Sequence, residues 1–221
     1  MSDPGCPSCH SEQDYEALFD SREANHDLEQ WRRHGLPAAT ADLIDAILAE
    51  GVEGARLLDI GAGIGMVHLE LLAAGAASAV DVDASSAYLA AARDQAERRG
   101  LADRVEHRHG DVVALAADLP RSDVVTLDRV ICCYPDLPAL LSAALITGPR
   151  LVGFVHPTDA WWNRGAMAAF NALGRLLRRH HFFYVHRRTE IARLMAAGGL
   201  TERSHGGSRY WKVAIYTRSV A

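Results

Sequence analysis

Leu57-Leu58-Asp59-Ile60-Gly61-Ala62-Gly63-Ile64-Gly65 is the stretch from which the rest of the chain takes its order. Leu57 and Leu58 read as the end of a buried parallel strand. The glycines then predict a tight turn into a helix that opens near Met66 and carries Leu69, Leu71 and Leu72. Glycine belongs where the backbone must take positive φ or come close to a ligand, because a side chain would prevent both. A strand, turn and helix of this kind aim free N–H groups at whatever sits above the carboxyl edge of the sheet. The dinucleotide fingerprint G-x-G-x-x-G wants its third glycine where Met66 stands, and here the glycine comes early, at Gly65. Asp59 sets a carboxylate under the turn, where a pyrophosphate would be repelled. It suits a ligand with a cationic or amino group, held through water or backbone. Nicotinamide and flavin chemistry are disfavoured on both counts.

Beyond the turn the chain alternates strands and helices, the pattern of a parallel sheet. Ala77 to Asp83 reads as the second strand, with Asp81 and Asp83 on one face because strand side chains alternate. Tyr88, Leu89, Ala92 and Ala96 mark a helix closed by Gly100. Arg104 to His109 is the third strand, ending in Gly110-Asp111-Val112. Asp123 to Leu127 is the fourth, nearly all apolar and therefore central, and it runs into Asp128-Arg129-Val130-Ile131-Cys132-Cys133-Tyr134-Pro135-Asp136. Leu151 to Val155 is the fifth. Asp83 thus ends the strand after the glycine turn, where a carboxylate accepts both ribose hydroxyls of a nucleoside. Asp111 ends the next strand, placed to accept an exocyclic amine of adenine, and Asp128 ends the fourth. Singly, such acids are usually helix caps. At successive strand ends on one sheet edge, they point together to a nucleoside.

The segment from about Leu57 to Val155 resembles a class I S-adenosylmethionine (SAM)-dependent methyltransferase. Leu58 to Gly65 matches the family's first motif, Val82-Asp83-Ala84-Ser85 its second, Gly110-Asp111-Val112 its third and Asp123 to Tyr134 its fourth. The resemblance implies an α/β, Rossmann-like, doubly wound sheet of seven strands with the last antiparallel. Leu200 to Ser204 and Tyr210 to Thr217 would form the final hairpin, with Gly206-Gly207 at its turn. It implies SAM across the carboxyl ends of the first strands, held by Asp59, Gly61, Ala62, Gly63, Asp83, Ala84, Asp111, Val112, Asp128 and Arg129, with Asp128 facing the methionine end and the reacting methyl. A narrower likeness joins Leu127 to Pro135 to the fourth motif of magnesium-protoporphyrin methyltransferases, which esterify a porphyrin propionate and carry an insert after the fifth strand. They place a histidine where this chain has Cys133. The arrangement is also similar to an uncharacterised group of bacterial methyltransferase-domain proteins.

At 221 residues one α/β domain with a decorated edge is expected. Residues 1–50 are read as an amino-terminal helical segment, or lid, and residues 51–221 as the methyltransferase domain, with an insert at about 156–187. Half the residues are apolar without a bilayer-length run, and no secretory leader is visible, so a soluble cytoplasmic protein is expected. A net charge of −5 argues against a nucleic-acid footprint over the whole surface, and no membrane partner is expected. Lys212 alone among many arginines reads as a GC-rich bacterial coding bias. Cys6, Cys9 and His10 have the spacing of half a zinc ribbon, but no second C-x-x-C completes it. Together with Cys132 and Cys133 these are read as free thiols, and no metal is expected.

The acceptor should be a small molecule met by the parts that are not core. Tyr15, Phe19 and Trp31 belong to the lid, with Tyr15, Leu18 and Phe19 on one apolar face. Trp161 and Trp162 open the insert, and Cys133 follows the fourth strand. Aromatic side chains beside Arg178 and Arg179 suit a flat, acidic or polar ligand. Methyl transfer is an in-line displacement that needs alignment and, for a phenol, amine or thiol, a base. His156 and His26 are the candidate bases, and Tyr134 a hydrogen-bonding group that orients the acceptor. A carboxylate acceptor needs no base, and O-methylation is the favoured reaction, in a monomer or homodimer. Two other readings stay open: esterification of a porphyrin carboxylate, and SAM binding without catalysis.

Overall fold

The computed structural model describes residues 12–177 and 183–218. Among the described residues three helices precede the first strand: α1 (Glu12–Leu18), α2 (Ser21–His34) and α3 (Ala38–Ala49). The chain then alternates β1 (Arg56–Ile60), α4 (Met66–Ala73), β2 (Ser78–Asp83), α5 (Ser86–Arg98), β3 (Val105–His109), α6 (Val112–Leu115), β4 (Val124–Asp128), α7 (Leu137–Ile146) and β5 (Leu151–Pro157). It closes with α8 (Trp161–Leu176), α9 (Arg188–Ala197), β6 (Leu200–Gly207) and β7 (Trp211–Arg218). The strands form one sheet in the order β3-β2-β1-β4-β5-β7-β6, with β7 antiparallel to both its neighbours. The strand order reverses beside β1, so a crevice opens between the carboxyl ends of β1 and β4, where open α/β sheets hold their ligands.

Alternation along the strands makes two cores. Leu58, Ile60, Val125, Leu127, Val152 and Phe154 face α7 and α9, while Leu57, Val124, Leu151 and Val155 face α3 and α4. Asp59 shares the second face with Leu57, which puts a carboxylate at 0% exposure inside an apolar layer. It persists because its oxygens are hydrogen-bonded: His68 on α4 approaches through Nδ1 (2.9 Å) and its backbone N–H (3.3 Å), and Thr126 on β4 donates its hydroxyl (2.6 Å). Asp81, two residues along the same face of β2 from Asp83, is buried in the same way against His107 Nδ1 of β3 (2.8 Å).

Local signals set the helix ends. Asp20 caps α2 by accepting from the N–H groups of Arg22 and Glu23. That cap breaks the amino-terminal region in two: α1 ends at Leu18, and α2 packs separately on α5 through buried Ala24 and Leu28. The described part of the amino-terminal segment is therefore three helices, of which α1 reaches the loops above the sheet edge, α2 packs on α5 and α3 covers the sheet. The final hairpin also differs from its expected form. Gly206 and Gly207 are the last residues of β6, and the turn falls at Ser208-Arg209-Tyr210, where the Ser208 hydroxyl accepts from the N–H groups of Tyr210 and Trp211. Cys6, Cys9 and His10 lie outside the described residues. Among the described residues no cluster of metal-ligating side chains occurs, and no helix is long and apolar enough to cross a membrane.

Candidate active site

The floor of the site is the turn between β1 and α4. Gly61 has φ +60° and Gly63 φ +58°, a region that side chains rarely occupy. A Cβ at Gly61 would stand 2.6 Å from Val130 Cγ2, so the loop after β4 packs where any side chain would be. Gly61 N–H donates to the Val82 carbonyl of β2 (2.7 Å), and Gly63 N–H donates to Asp83 Oδ2 (3.0 Å). The turn is thereby stitched to the carboxyl end of the neighbouring strand.

Three carboxylates stand around this turn. Asp83, 9% exposed, also accepts the Ser85 N–H at Oδ1 (2.8 Å), and burial pushes its pKa up to about 6 against the pull of those two N–H groups. Asp111 caps α6 by accepting from Val113 N–H (2.9 Å), and the Tyr134 hydroxyl donates to both its oxygens (2.9 and 3.0 Å). Asp128 takes the Thr40 hydroxyl of α3 on Oδ2 (2.6 Å). Its Oδ1 is buried without a hydrogen-bond partner, 3.4 Å from Arg129 Nε, and burial raises its pKa. Arg129 itself has φ +60°, a conformation that costs about 1–3 kcal/mol away from glycine and gathers at functional sites.

The roof is α1. The Tyr15 hydroxyl donates to the Cys133 carbonyl (2.9 Å), and Ser85 Oγ donates to the Phe19 carbonyl (2.6 Å). Glu16 accepts from Ser86 N–H (3.0 Å) and Ser86 Oγ (3.1 Å) and meets His109 Nε2 (2.9 Å). Phe19 packs edge-on against Tyr88, centroids 5.8 Å apart, while the Tyr88 hydroxyl donates to Asp27 of α2 (2.7 Å). Floor, carboxylates and roof enclose a cavity of about 510 Å³, within the usual range for a small-molecule site.

Of the residues singled out from sequence, Tyr15, Phe19, Gly61, Ala62, Gly63, Asp83, Ala84, Asp111, Val112, Asp128, Arg129, Cys133 and Tyr134 line this cavity. Asp59 does not: it lies beneath the turn, its oxygens occupied by His68 and Thr126, so it shapes the site instead of meeting a ligand. His156 is away from the cavity too, 2% exposed, with Nδ1 against the Pro157 carbonyl and its ring between Phe154 and His205. Burial there and the neighbouring His205 depress its pKa to about 4. His26 is exposed on α2, and Trp31 packs under the Arg99 guanidinium (4.6 Å). Trp161 is 84% exposed, and Trp162 meets Tyr210 edge-on at 5.7 Å. His26 and Trp161 are turned outward by the helices that carry them, while Trp31 packs against the Ala24, Leu28 and Tyr88 cluster and Trp162 against Tyr210, none of the four lining the cavity.

Leu18, placed with Tyr15 and Phe19 on the lid's apolar face, lines the cavity too, as does Phe183 of the insert; Glu23, Asp27, Tyr88 and Trp211 join them without having been read as site residues. The tyrosine in the first turn of α5 carried a signal, since it stands three residues after the Ser85 cap and five after Asp83. Phe183 belongs to the insert after β5, and Trp211 opens β7, where nothing local announces it. Tyr134, expected to orient an acceptor, spends its hydroxyl on Asp111.

Residues 57–145 match a family model described as a methyltransferase domain. Among solved structures, the chain is similar to the magnesium protoporphyrin IX methyltransferase of Synechocystis PCC 6803 with bound SAH (TM-score 0.73, 17% identity, 94% of this chain and 99% of that one). It is similar also to an O-methyltransferase family protein from Burkholderia thailandensis (TM-score 0.69, 19% identity, 92% and 62%). At these identities the likeness is one of fold. A ribosomal protein L11 methyltransferase of Enterobacter sp. (strain 638) is 31% identical over 101 residues, 45% of this chain and 33% of that protein. The chain spans about a third of the length of the curated relatives it matches.

Proposed function

We propose that this chain transfers a methyl group from SAM to the oxygen of a small-molecule acceptor. The observation that carries the proposal is the convergence of Asp83, Asp111 and Asp128 with the glycine turn on one roofed cavity. Asp83 is assigned to the ribose hydroxyls and Asp111 to the adenine amine, with Val112 against the base. Asp128 Oδ1, buried and lacking a hydrogen-bond partner, is suited to the ammonium of the methionine end, beside Arg129. SAM supplies the activated methyl; the chain supplies alignment and the exclusion of water.

The acceptor would sit beside the Tyr15–Cys133 hydrogen bond, in the part of the cavity lined by Phe19 and Tyr134. The described lining of the cavity holds no histidine. An acceptor already ionised at neutral pH needs none, which favours a carboxylate over a phenol or amine. The test is turnover of methyl-labelled SAM against carboxylates, phenols, amines and thiols, with a porphyrin propionate as one of the carboxylates. Label transferred to a carboxylate oxygen is expected. Binding of SAM with no label transferred to any class would instead favour SAM binding without catalysis.

The raised pKa of Asp83 fixes a pH dependence. Its folded pKa of about 6 lies above the 3.8 of the free side chain, so burial disfavours the ionised form, and this group's contribution to stability falls as pH rises through that window. Ribose hydroxyls donate to the ionised carboxylate, so ligand binding draws the group the other way. S-adenosylhomocysteine (SAH) affinity should fall as pH drops through 6, by up to about tenfold per unit. Titrations at several pH values check this, and a flat profile would remove Asp83 from the ligand.

The roof gives a second expectation. Deleting residues 1–18 removes α1 and leaves the Asp20 cap and the α2–α5 packing intact. SAH binding should weaken but persist, methyl transfer should be lost, and the melting transition should stay cooperative. Full specific activity in the truncated, folded protein would rule out a role for α1 in closing the site.

A further inference from the structure

Cys132 and Cys133 both line the cavity, and the methyl-transfer reading leaves their thiols without a role. Neighbouring side chains on an extended strand point to opposite faces. Here the loop after β4 turns both thiols to one point. Their Sγ atoms stand 3.6 Å apart, and both lie near the Arg129 carbonyl, at 3.1 and 3.8 Å. The backbone of the pair is held from two sides. The Cys133 carbonyl accepts the Tyr15 hydroxyl of α1 (2.9 Å), and the Cys132 carbonyl accepts the Tyr184 N–H of the insert (2.7 Å). Two thiols converging on a fixed loop at a cavity wall form a preset dithiol.

The chemistry of the pair narrows what it holds. Contact with Cys132, and then the Arg129 charge, pull the Cys133 thiol below its ordinary range. That favours the thiolate, the form that binds soft centres. Zn²⁺ wants four ligands, and among the described residues no third metal-binding side chain joins the pair. A disulfide fits poorly as well. Adjacent Cα atoms are about 3.8 Å apart, shorter than the roughly 4.4 Å at which disulfides begin. A linear two-coordinate ion such as mercury(II) would hold its sulfurs on opposite sides, whereas these two are gathered on one. Trivalent arsenic bonds two sulfurs at a bent angle and keeps a third substituent. The cavity of about 510 Å³, which Tyr15 and Tyr134 also line, has room for that substituent.

We propose that Cys132 and Cys133 form a chelating site for a trivalent arsenical inside the cavity. The inference rests on the placement of the two thiols and stands apart from the methyl-transfer reading. With phenylarsine oxide the step is a condensation. The arsenic–oxygen bond breaks, the two thiol protons leave with that oxygen as water, and two As–S bonds form while arsenic stays trivalent. The test uses the full chain carrying Cys6→Ser and Cys9→Ser, so that Cys132 and Cys133 are its only thiols. Titration with phenylarsine oxide, followed by intact mass and by a thiol-reactive dye, should give one adduct per chain and no remaining thiol. Excess glutathione should leave the adduct in place, and dimercaptopropanol should release it. Cys132→Ser or Cys133→Ser should weaken binding on the order of a hundredfold or more, because the second As–S bond closes within the chain. Cys132 is buried and Cys133 partly exposed, so the Cys133 variant decides the matter if the other fails to melt cooperatively. The folded chain should also bind more tightly than the same chain unfolded in urea, where nothing holds the thiols together. The proposal is overturned if the two-thiol chain takes up no arsenical, if glutathione strips it, or if a folded single-thiol variant binds as tightly. Equal affinity in urea would overturn it too.

Discussion

Replacing Gly63 with valine is expected to abolish SAH binding while the chain still melts cooperatively. Gly63 has φ +58°, and holding a residue with a Cβ there costs about 1–2 kcal/mol, more when it is β-branched. A Cβ at this position would meet the Tyr88 ring at 3.4 Å, an ordinary contact, so the first added carbon fits. Valine's two further methyls do not: they must push either into Tyr88 or into the cavity that Gly63 and Tyr88 both line. Either movement disturbs the Gly63 N–H bond to Asp83 and the approach of a ligand to the turn. Gly63→Ala should fall between the two. Calorimetric titration beside a melting curve separates loss of binding from loss of fold, and unchanged titration of the valine variant would displace the ligand from this turn.

The second large effect is on stability. Asp59→Ala should cost about 3–5 kcal/mol, because one side chain ties β1, α4 and β4 together beneath the turn. Its loss leaves the His68 imidazole and the Thr126 hydroxyl buried without their partner, and His68 Nε2 already lacks one. Leaving such groups unmade costs more than the hydrogen bonds themselves contributed. Urea unfolding of the variant measures this directly. A loss below about 1 kcal/mol would mean that water enters and satisfies both groups.

Those two residues also show how far the sequence was readable. Asp59 and Gly63 were visible as a motif because a turn that needs positive φ admits few residues, and strand-end acids fall at fixed positions after apolar runs. The five parallel strands followed from alternation and the β-α rhythm, whereas the seventh, antiparallel strand was implied by the family resemblance and the strand order came only with the fold. The role of Asp59 was less legible. Strand periodicity places it opposite Leu58, but its partners His68 and Thr126 are 9 and 67 residues away, and only packing joins them. The histidines show the limit most plainly. His156 ends β5 as expected, yet its face of the strand looks toward His205 and away from the cavity. In the roof, Tyr15 and Phe19 were found because they share an apolar face. Glu16, which secures that roof to Ser86 and His109, is an ordinary helix-surface acid until the fold brings those partners to it.

The central claim is that the cavity between the glycine turn and α1 binds SAM through the strand-end carboxylates. Calorimetric titration of the full chain with SAH, comparing wild type with Asp83→Ala, tests it most directly. The account predicts one site per chain of micromolar affinity, weakened in the variant by about 1.5–3 kcal/mol, the cost of losing hydrogen bonds to a charged acceptor. In binding constants that is roughly ten- to a hundred-and-fifty-fold. No binding to wild type, or the same affinity in the folded variant, would contradict it.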